Sequence, residues 1–196
     1  MEDYFFYLIE GFKHVLDLRF NSFDHVLFFI LMVAPHSFKT WKNAVYISLA
    51  FTLGHTLSII LSVYSFVSIE NAYIEFLILA TIFVTAVYNI VLAGKRVNPS
   101  TNWFLLIVTL FFGLIHGFGF ASTFKMLASG VDNEILLLLE FALGIELGQL
   151  LVIFVVLFLE FLAIRMLRLA KRDWNLVISA LILGLILPLL IARWAF

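Results

Sequence analysis

The sequence contains no cysteine, only three prolines, and few charged residues for a chain of 196 residues. The absence of cysteine excludes disulfide bonds and thiolate metal ligands, and it leaves the redox compartment undetermined. Charged side chains make up 13% of the residues, about half the share in a typical soluble domain. The net charge of −1 argues against a nucleic-acid partner. Such a chain has too little polar surface for an ordinary soluble domain.

Hydrophobic residues make up 64% of the chain, and the mean hydropathy is +1.12. The apolar stretches are longer than a buried core helix needs, and about 20 residues suffice to cross a bilayer core of about 30 Å. This pattern predicts an all-α integral membrane protein, with a bundle of about six transmembrane helices forming a single transmembrane domain over residues 1–196. The N-terminus lacks the basic region of a cleaved signal peptide, so we expect it to remain in the mature protein.

The N-terminal segment, residues 3–19, mixes charged residues with Phe, Leu and Val, which predicts a short amphipathic or partly inserted helix. The first span, residues 23–35, is too short to cross alone, so we expect it to span together with that segment as a broken helix. Pro188 is expected to kink the last span. The remaining five spans are predicted at residues 41–66, 72–94, 102–124, 134–163 and 174–194.

Basic residues are distributed unevenly between the two sets of loops. The loops after spans one, three and five hold eight of the twelve lysines and arginines, and the opposite side holds four. Because basic loops stay in the cytoplasm, this distribution predicts that both termini are extracytoplasmic. Tryptophans stand at the interface positions that such an orientation requires, namely Trp41, Trp103, Trp174 and Trp194.

Three histidines lie within or at the edge of apolar spans, which are costly places for a side chain that can ionise: His25, His55 and His116. His55 follows Trp41 by fourteen residues and His116 follows Trp103 by thirteen, so both lie about 20 Å from the inner interface at 1.5 Å per residue. Asp24 and His14 are expected at the same depth, in segments on the outer side of the membrane. A lone histidine in a span often only hydrogen-bonds a neighbouring helix, but this joint placement favours a functional site.

Neutral imidazole together with carboxylate suits a divalent transition metal such as nickel, cobalt or zinc. Without cysteine or a methionine stripe, a Cu(I) path is disfavoured. The residue types leave three functions open. One is metal transport, another is an intramembrane zinc-dependent hydrolase with a carboxylate base, and the third is a haem-binding electron carrier with axial histidines.

Five motifs, in order along most of the chain, resemble the HupE/UreJ family of hydrogenase and urease accessory membrane proteins. They are Gly11-Phe12-Lys13-His14, Asp24-His25-Val26-Leu27-Phe28, Phe51-Thr52-Leu53-Gly54-His55-Thr56, the stretch from Phe112 to Phe120, and Leu143-Gly144-Ile145-Glu146-Leu147-Gly148-Gln149. Glu75 and Asn89 look like two further family positions. The resemblance implies a secondary permease that supplies nickel or cobalt to metalloenzymes, placed in the bacterial inner membrane.

Residues and resemblance together define the candidate site. The expected metal ligands are His14, Asp24, His25, His55, His116 and Glu146. The expected supporting residues are Thr52, Glu75, Asn89, Gly113, Gly117 and Gln149. We select no residue as catalytic and none as a ligand of a cofactor other than the divalent metal ion. The expected partners are the metal ion as substrate and membrane lipid, and the chain is compatible with a homo-oligomer.

Overall fold

The computed structural model describes residues 5–17, 23–67, 69–95, 103–131 and 133–194. Within these ranges the regular structure is entirely helical, which confirms the all-α part of the predicted fold class. The elements are α1 (Phe6–Leu16), α2 (Asp24–Val33), a 3-10 turn (Phe38–Thr40), α3 (Trp41–Val63), α4 (Asn71–Leu92), α5 (Trp103–Ala128), α6 (Glu134–Arg165) and α7 (Lys171–Trp194).

Five helices, α3 to α7, are long and apolar enough to cross a membrane. The predicted first span is only the ten-residue helix α2, so the count of six spans is not confirmed. At 1.5 Å per residue, the eleven residues of α1 and the ten of α2 measure about 16 Å and 15 Å. Neither crosses a bilayer core of about 30 Å alone, but their lengths together match it. This agrees with the expected broken helix.

Glycines bring two pairs of helices into backbone contact. A Cβ at Gly113 of α5 would collide with the carbonyl oxygen of Phe51 on α3, and a Cβ at Gly144 of α6 would collide with that of Leu8 on α1. Along the second pair, Leu8 lies beside Gly144 and Val15 beside Gly148, so α1 runs parallel to the first half of α6. Small residues at such crossings let helix backbones approach closely in a membrane.

Charged residues make contacts at both ends of the bundle. At one end, the loop after α2 meets the start of α7, where Lys171 donates to the carbonyl of His36, and Gly94 after α4 lies beside Arg172. At the other end, Arg193 forms an ion pair with Glu75. Lys171 and Arg172 thus lie beside the loops after α2 and α4 at one end of the bundle, while the orientation of the termini stays a prediction, and Arg19 and Arg96 lie outside the described residues. The helix α7 contains Pro188 and continues to Trp194.

Candidate metal centre

Three histidines from three different helices meet in the interior of the bundle. His14 lies on α1, His25 on α2 and His55 on α3, and one ring nitrogen from each lies within 4.8 Å of those from the other two. The ring centroid of His14 is 4.7 Å from that of His25 and 5.6 Å from that of His55, and the His25 and His55 centroids are 5.3 Å apart. We call these residues the three-histidine cluster.

A fourth ring, His116 of α5, lies beside the cluster, with its centroid 5.3 Å from that of His25. Its Nδ1 lies 2.8 Å from the carbonyl oxygen of Phe112, one turn earlier on the same helix. Because a carbonyl can only accept, Nδ1 carries the proton and Nε2 keeps its lone pair. His116 is thereby fixed in a tautomer whose Nε2 can bind a cation.

Five buried ring nitrogens in this region lack hydrogen-bond partners among the described residues. Among the described residues, no partner contacts Nε2 of His14, His25 or His116, or either ring nitrogen of His55. His25, His55 and His116 are 5%, 0% and 1% exposed. Each buried polar atom that lacks a hydrogen-bond partner lowers the stability of the fold by about 1–3 kcal/mol. A cation coordinated by several of these nitrogens would satisfy their lone pairs.

Phenylalanine rings surround the histidines and fix their orientation. The Phe120 ring lies 4.0 Å from that of His14 and stacks on Phe141 at 4.9 Å. Phe51 contacts both His25 and His116, with centroids 5.7 Å and 5.1 Å apart. This apolar shell keeps the local dielectric low, which strengthens the interaction of any bound cation with its ligands.

The close crossing of α3 and α5 explains why His55 and His116 reach the same region. Gly117 faces His55 so closely that a Cβ would collide with its carbonyl oxygen and with the hydroxyl of Ser58. The glycines Gly113 and Gly117 thus bracket His116 on the face that α3 covers. Their predicted supporting role has a clear geometric basis, because larger residues would push the two helices apart.

A second polar cluster lies about one helical turn from His55. Ser48 and Thr52 of α3 contact the Glu146 carboxylate of α6 at 2.8 Å and 2.6 Å. The same hydroxyls lie 2.7 Å and 3.0 Å from Oε1 of Gln149, whose Nε2 has no partner. Each hydroxyl can donate only one hydrogen bond, yet each has two oxygen atoms as neighbours. If the Gln149 amide is turned by 180°, its NH₂ group donates to both hydroxyls, which then donate to the carboxylate of Glu146.

The remaining predicted site residues lie in different surroundings. Asp24 precedes His25 at the start of α2, and the guanidinium of Arg193 acts on it electrostatically. Glu75 binds Arg193, and Asn89 donates from Nδ2 to the carbonyl oxygen of Leu31 at 2.7 Å. The histidine rings therefore meet in one place, whereas Glu75 and Asn89 make their contacts elsewhere in the bundle.

The sequence analysis did not select Ser48 and Phe120 as site residues. Ser48 stands four positions before Thr52 and seven before His55, so its helical spacing could have indicated its place beside Glu146. Phe120 ends the motif that begins at Phe112, but its contact with His14 depends on how α1 packs against α5.

A family model described as "HupE / UreJ protein" matches residues 1–194, essentially the whole chain. Comparison with curated proteins and with solved structures gave no match. With its apolar helices, the chain is an integral membrane protein. The family is associated with nickel or cobalt accessory or transport functions. The sequence motifs and the match over nearly the full length agree, and the chain belongs to the HupE/UreJ family.

Proposed function

We propose that the protein is a secondary transporter of a divalent transition metal ion, with nickel or cobalt favoured. The observation that carries the proposal is the convergence of His14, His25 and His55, from three helices, with one ring nitrogen of each within 4.8 Å of the others and an unpartnered nitrogen on every ring. Nitrogen ligands without thiolates suit borderline divalent ions. Membership of the HupE/UreJ family supports the same substrates.

The spacing of the nitrogens is compatible with coordination after a small rearrangement. An ion bound at about 2.1 Å to each nitrogen holds the nitrogens about 3.0–3.4 Å apart. Nitrogens that start up to 4.8 Å apart reach this spacing by modest side-chain rotation. A transporter must bind its substrate firmly enough to remove water from it and weakly enough to release it. A loosely preformed cluster suits that requirement better than a rigid site does.

Glu146 and His116 have distinct places in this proposal. His116 lies beside His25 but outside the group whose nitrogens are within 4.8 Å of one another, and we assign it to an adjacent position that the ion contacts on leaving the cluster. Glu146 lies about one turn of α3 away from His55, held by Ser48 and Thr52. A carboxylate at membrane depth often carries substrate or proton along a transport path. We propose that the ion moves to Glu146 after it leaves the histidines.

The packing of the cluster disfavours a haem-binding protein. Axial ligation by two histidines places the haem plane between their rings. Here the imidazoles contact one another edge to face, with centroids 4.7 Å and 5.3 Å apart, and Phe51 and Phe120 fill the space around them. A zinc hydrolase needs a carboxylate beside the metal-bound water, whereas Glu146 is engaged by two hydroxyls.

Uptake of Ni²⁺ or Co²⁺ into proteoliposomes tests the proposal. His25→Gln removes a nitrogen ligand while keeping a polar side chain, and we expect it to reduce initial uptake at least about tenfold, a change of about 1.4 kcal/mol. His36→Gln is the matched control, because His36 lies in the loop after α2, where its Nδ1 contacts the carbonyl of Met32. Equal uptake by the His25→Gln and wild-type proteins would refute transport through this cluster. Retention of one tight zinc ion through chelator treatment would favour the hydrolase.

A further inference from the structure

We propose that the cavity between α1 and the last turns of α5 is the water-filled entrance through which a hydrated divalent cation reaches the three-histidine cluster. This inference rests on the proposed transport function and adds the entry route and its recruiting residues. The cavity has a volume of about 520 Å³. It is lined by Glu10, Lys13, His14 and Asp17 from the α1 segment and by Phe120 and Thr123 from α5.

The α1 helix has one face for packing and another for the cavity. Gly11 and Val15 are buried, and Gly11 contacts the backbone of α6. Glu10, His14 and Asp17 fall within about 60° of one another at 100° per residue, on a different face. A half-span helix with a polar face that lines a cavity is the arrangement expected beside an aqueous path, because lipid would not satisfy these groups.

His14 links this cavity to the site. Its side chain lines the cavity, its ring lies 4.7 Å from that of His25, and its Nε2 has no hydrogen-bond partner. His14 is thus the residue at which the cavity and the cluster meet, although its Nε2 is itself buried. An ion that leaves the cavity for the cluster must therefore pass the His14 ring, against which Phe120 packs.

Among the described residues that line the cavity, two carboxylates and one lysine are charged, a set that attracts cations. Glu10 forms an ion pair with Lys13 at 2.8 Å, so their charges largely cancel. Asp17 adds a further carboxylate, and it lies close enough to His14 to act electrostatically on its ring. A cleft lined by one sign of net charge raises the local concentration of the opposite ion, especially between low-dielectric walls.

The volume is sufficient for an ion that still carries water. At about 30 Å³ per water molecule, an ion with about six waters occupies about 180 Å³. The cavity of about 520 Å³ thus holds the hydrated ion with further water around it. Only the step into the cluster, where Phe120 packs against His14 at 4.0 Å, requires the ion to lose water.

The absence of cysteine permits a direct test of the cavity. In membranes with both faces accessible, a charged, membrane-impermeant thiol reagent should modify Thr123→Cys, and Ni²⁺ should slow the reaction. Leu143→Cys is the control, because Leu143 is 54% exposed on the apolar surface of α6 and should stay unmodified. Failure to modify Thr123→Cys would overturn the proposal whether or not the protein transports metal.

Uptake kinetics test the recruiting role of Asp17. We expect Asp17→Asn to raise the KM for Ni²⁺ about three- to tenfold with an unchanged maximal rate, and the difference should shrink as ionic strength rises. Glu134→Gln removes an exposed acid at the start of α6 and should leave both constants unchanged. If uptake depends on His25 while Asp17→Asn has the wild-type KM, the entrance is wrong and transport stands. If uptake is indifferent to His25, transport itself is wrong.

Discussion

The His14 and His25 rings lie edge to face with centroids 4.7 Å apart, although they belong to two short helices that are separate in the chain. His14 stands in the last turn of α1 and His25 in the first turn of α2. The break between α1 and α2 thus brings both imidazoles to the same depth. Discontinuous helices at membrane depth are characteristic of ion-binding sites in transporters.

Metal affinity should depend on each member of the three-histidine cluster. Because each imidazole supplies one nitrogen, His14→Gln, His25→Gln and His55→Gln should each weaken Ni²⁺ binding at least about tenfold, as measured by isothermal titration calorimetry on purified protein. His36→Gln should bind like the wild type. Undiminished affinity in all three variants would rule out joint coordination by these residues.

The crossing of α3 and α5 should tolerate no side chain at Gly113. A Cβ there would collide with the Phe51 carbonyl oxygen, so we expect Gly113→Ala to lower the free energy of unfolding by about 1–3 kcal/mol. Gly184→Ala is the control, because a Cβ at Gly184 of α7 would meet nothing within 4 Å. That variant should gain about 0.5–1 kcal/mol from the higher helix propensity of alanine. Equal thermal stability of the two variants in detergent would contradict the close crossing.

Removal of the Thr52 hydroxyl should impair the glutamate cluster. Thr52→Val is nearly isosteric but cannot donate to Glu146, whose carboxylate lies 2.6 Å from the hydroxyl. We expect this variant to reduce the maximal rate of Ni²⁺ uptake about tenfold, since Glu146 keeps only the hydrogen bond from Ser48 and a bond to a charged group contributes about 1.5–3 kcal/mol. Thr52→Ser restores the donor and should retain most of the activity. A similar loss in both variants would point to packing rather than to the hydrogen bond.

The ion pair between Glu160 and Lys171 should contribute to stability. The two atoms lie 2.6 Å apart, and the Glu160 side chain is only 6% exposed. We expect Lys171→Met alone to lower the free energy of unfolding by about 1–3 kcal/mol, because the buried carboxylate loses its partner. The combination with Glu160→Gln should recover part of that loss. Glu10→Gln, which breaks the exposed pair with Lys13, should cost about 0–1 kcal/mol.

Acid should destabilise the protein partly through His36. Burial lowers the pKa of His36 from 6.5 to about 4, and the nearby Lys171 charge acts in the same direction against the bond to Met32. The unfolded chain therefore binds more protons between these values, so stability falls as the pH drops from about 6.5 to about 4, by up to about 3 kcal/mol. The thermal midpoint of His36→Gln should fall less than that of the wild type between pH 7 and pH 4.5. Identical pH slopes would contradict this assignment.

Helix positions followed closely from the sequence. The span predicted at residues 134–163 is α6, Glu134–Arg165, and the span predicted at 41–66 is α3, Trp41–Val63. Hydropathy determines such boundaries because the length of an apolar stretch is set by the thickness of the membrane. Whether the first predicted span crosses the membrane could not be judged from hydropathy, since α2 is half the length that a single crossing needs.

Within the candidate site, the sequence indicated residue types and approximate depth. Counting from Trp41 and Trp103 placed His55 and His116 at one level, and both rings lie near His25. The contacts of Glu75 with Arg193 and of Asn89 with the backbone of α2 could not be foreseen, because residues that share a helix face can contact different neighbours along its length.

By itself, the sequence determined that the chain is a helical membrane protein with imidazoles and a carboxylate inside apolar helices, because the cost of burying polar groups in hydrocarbon is a local property of each segment. Only the tertiary structure decided which histidines meet. That choice depends on the backbone contacts at Gly113 and Gly144, which set the pairing of α3 with α5 and of α1 with α6. Such pairing is a property of two surfaces together, and no single segment encodes it alone.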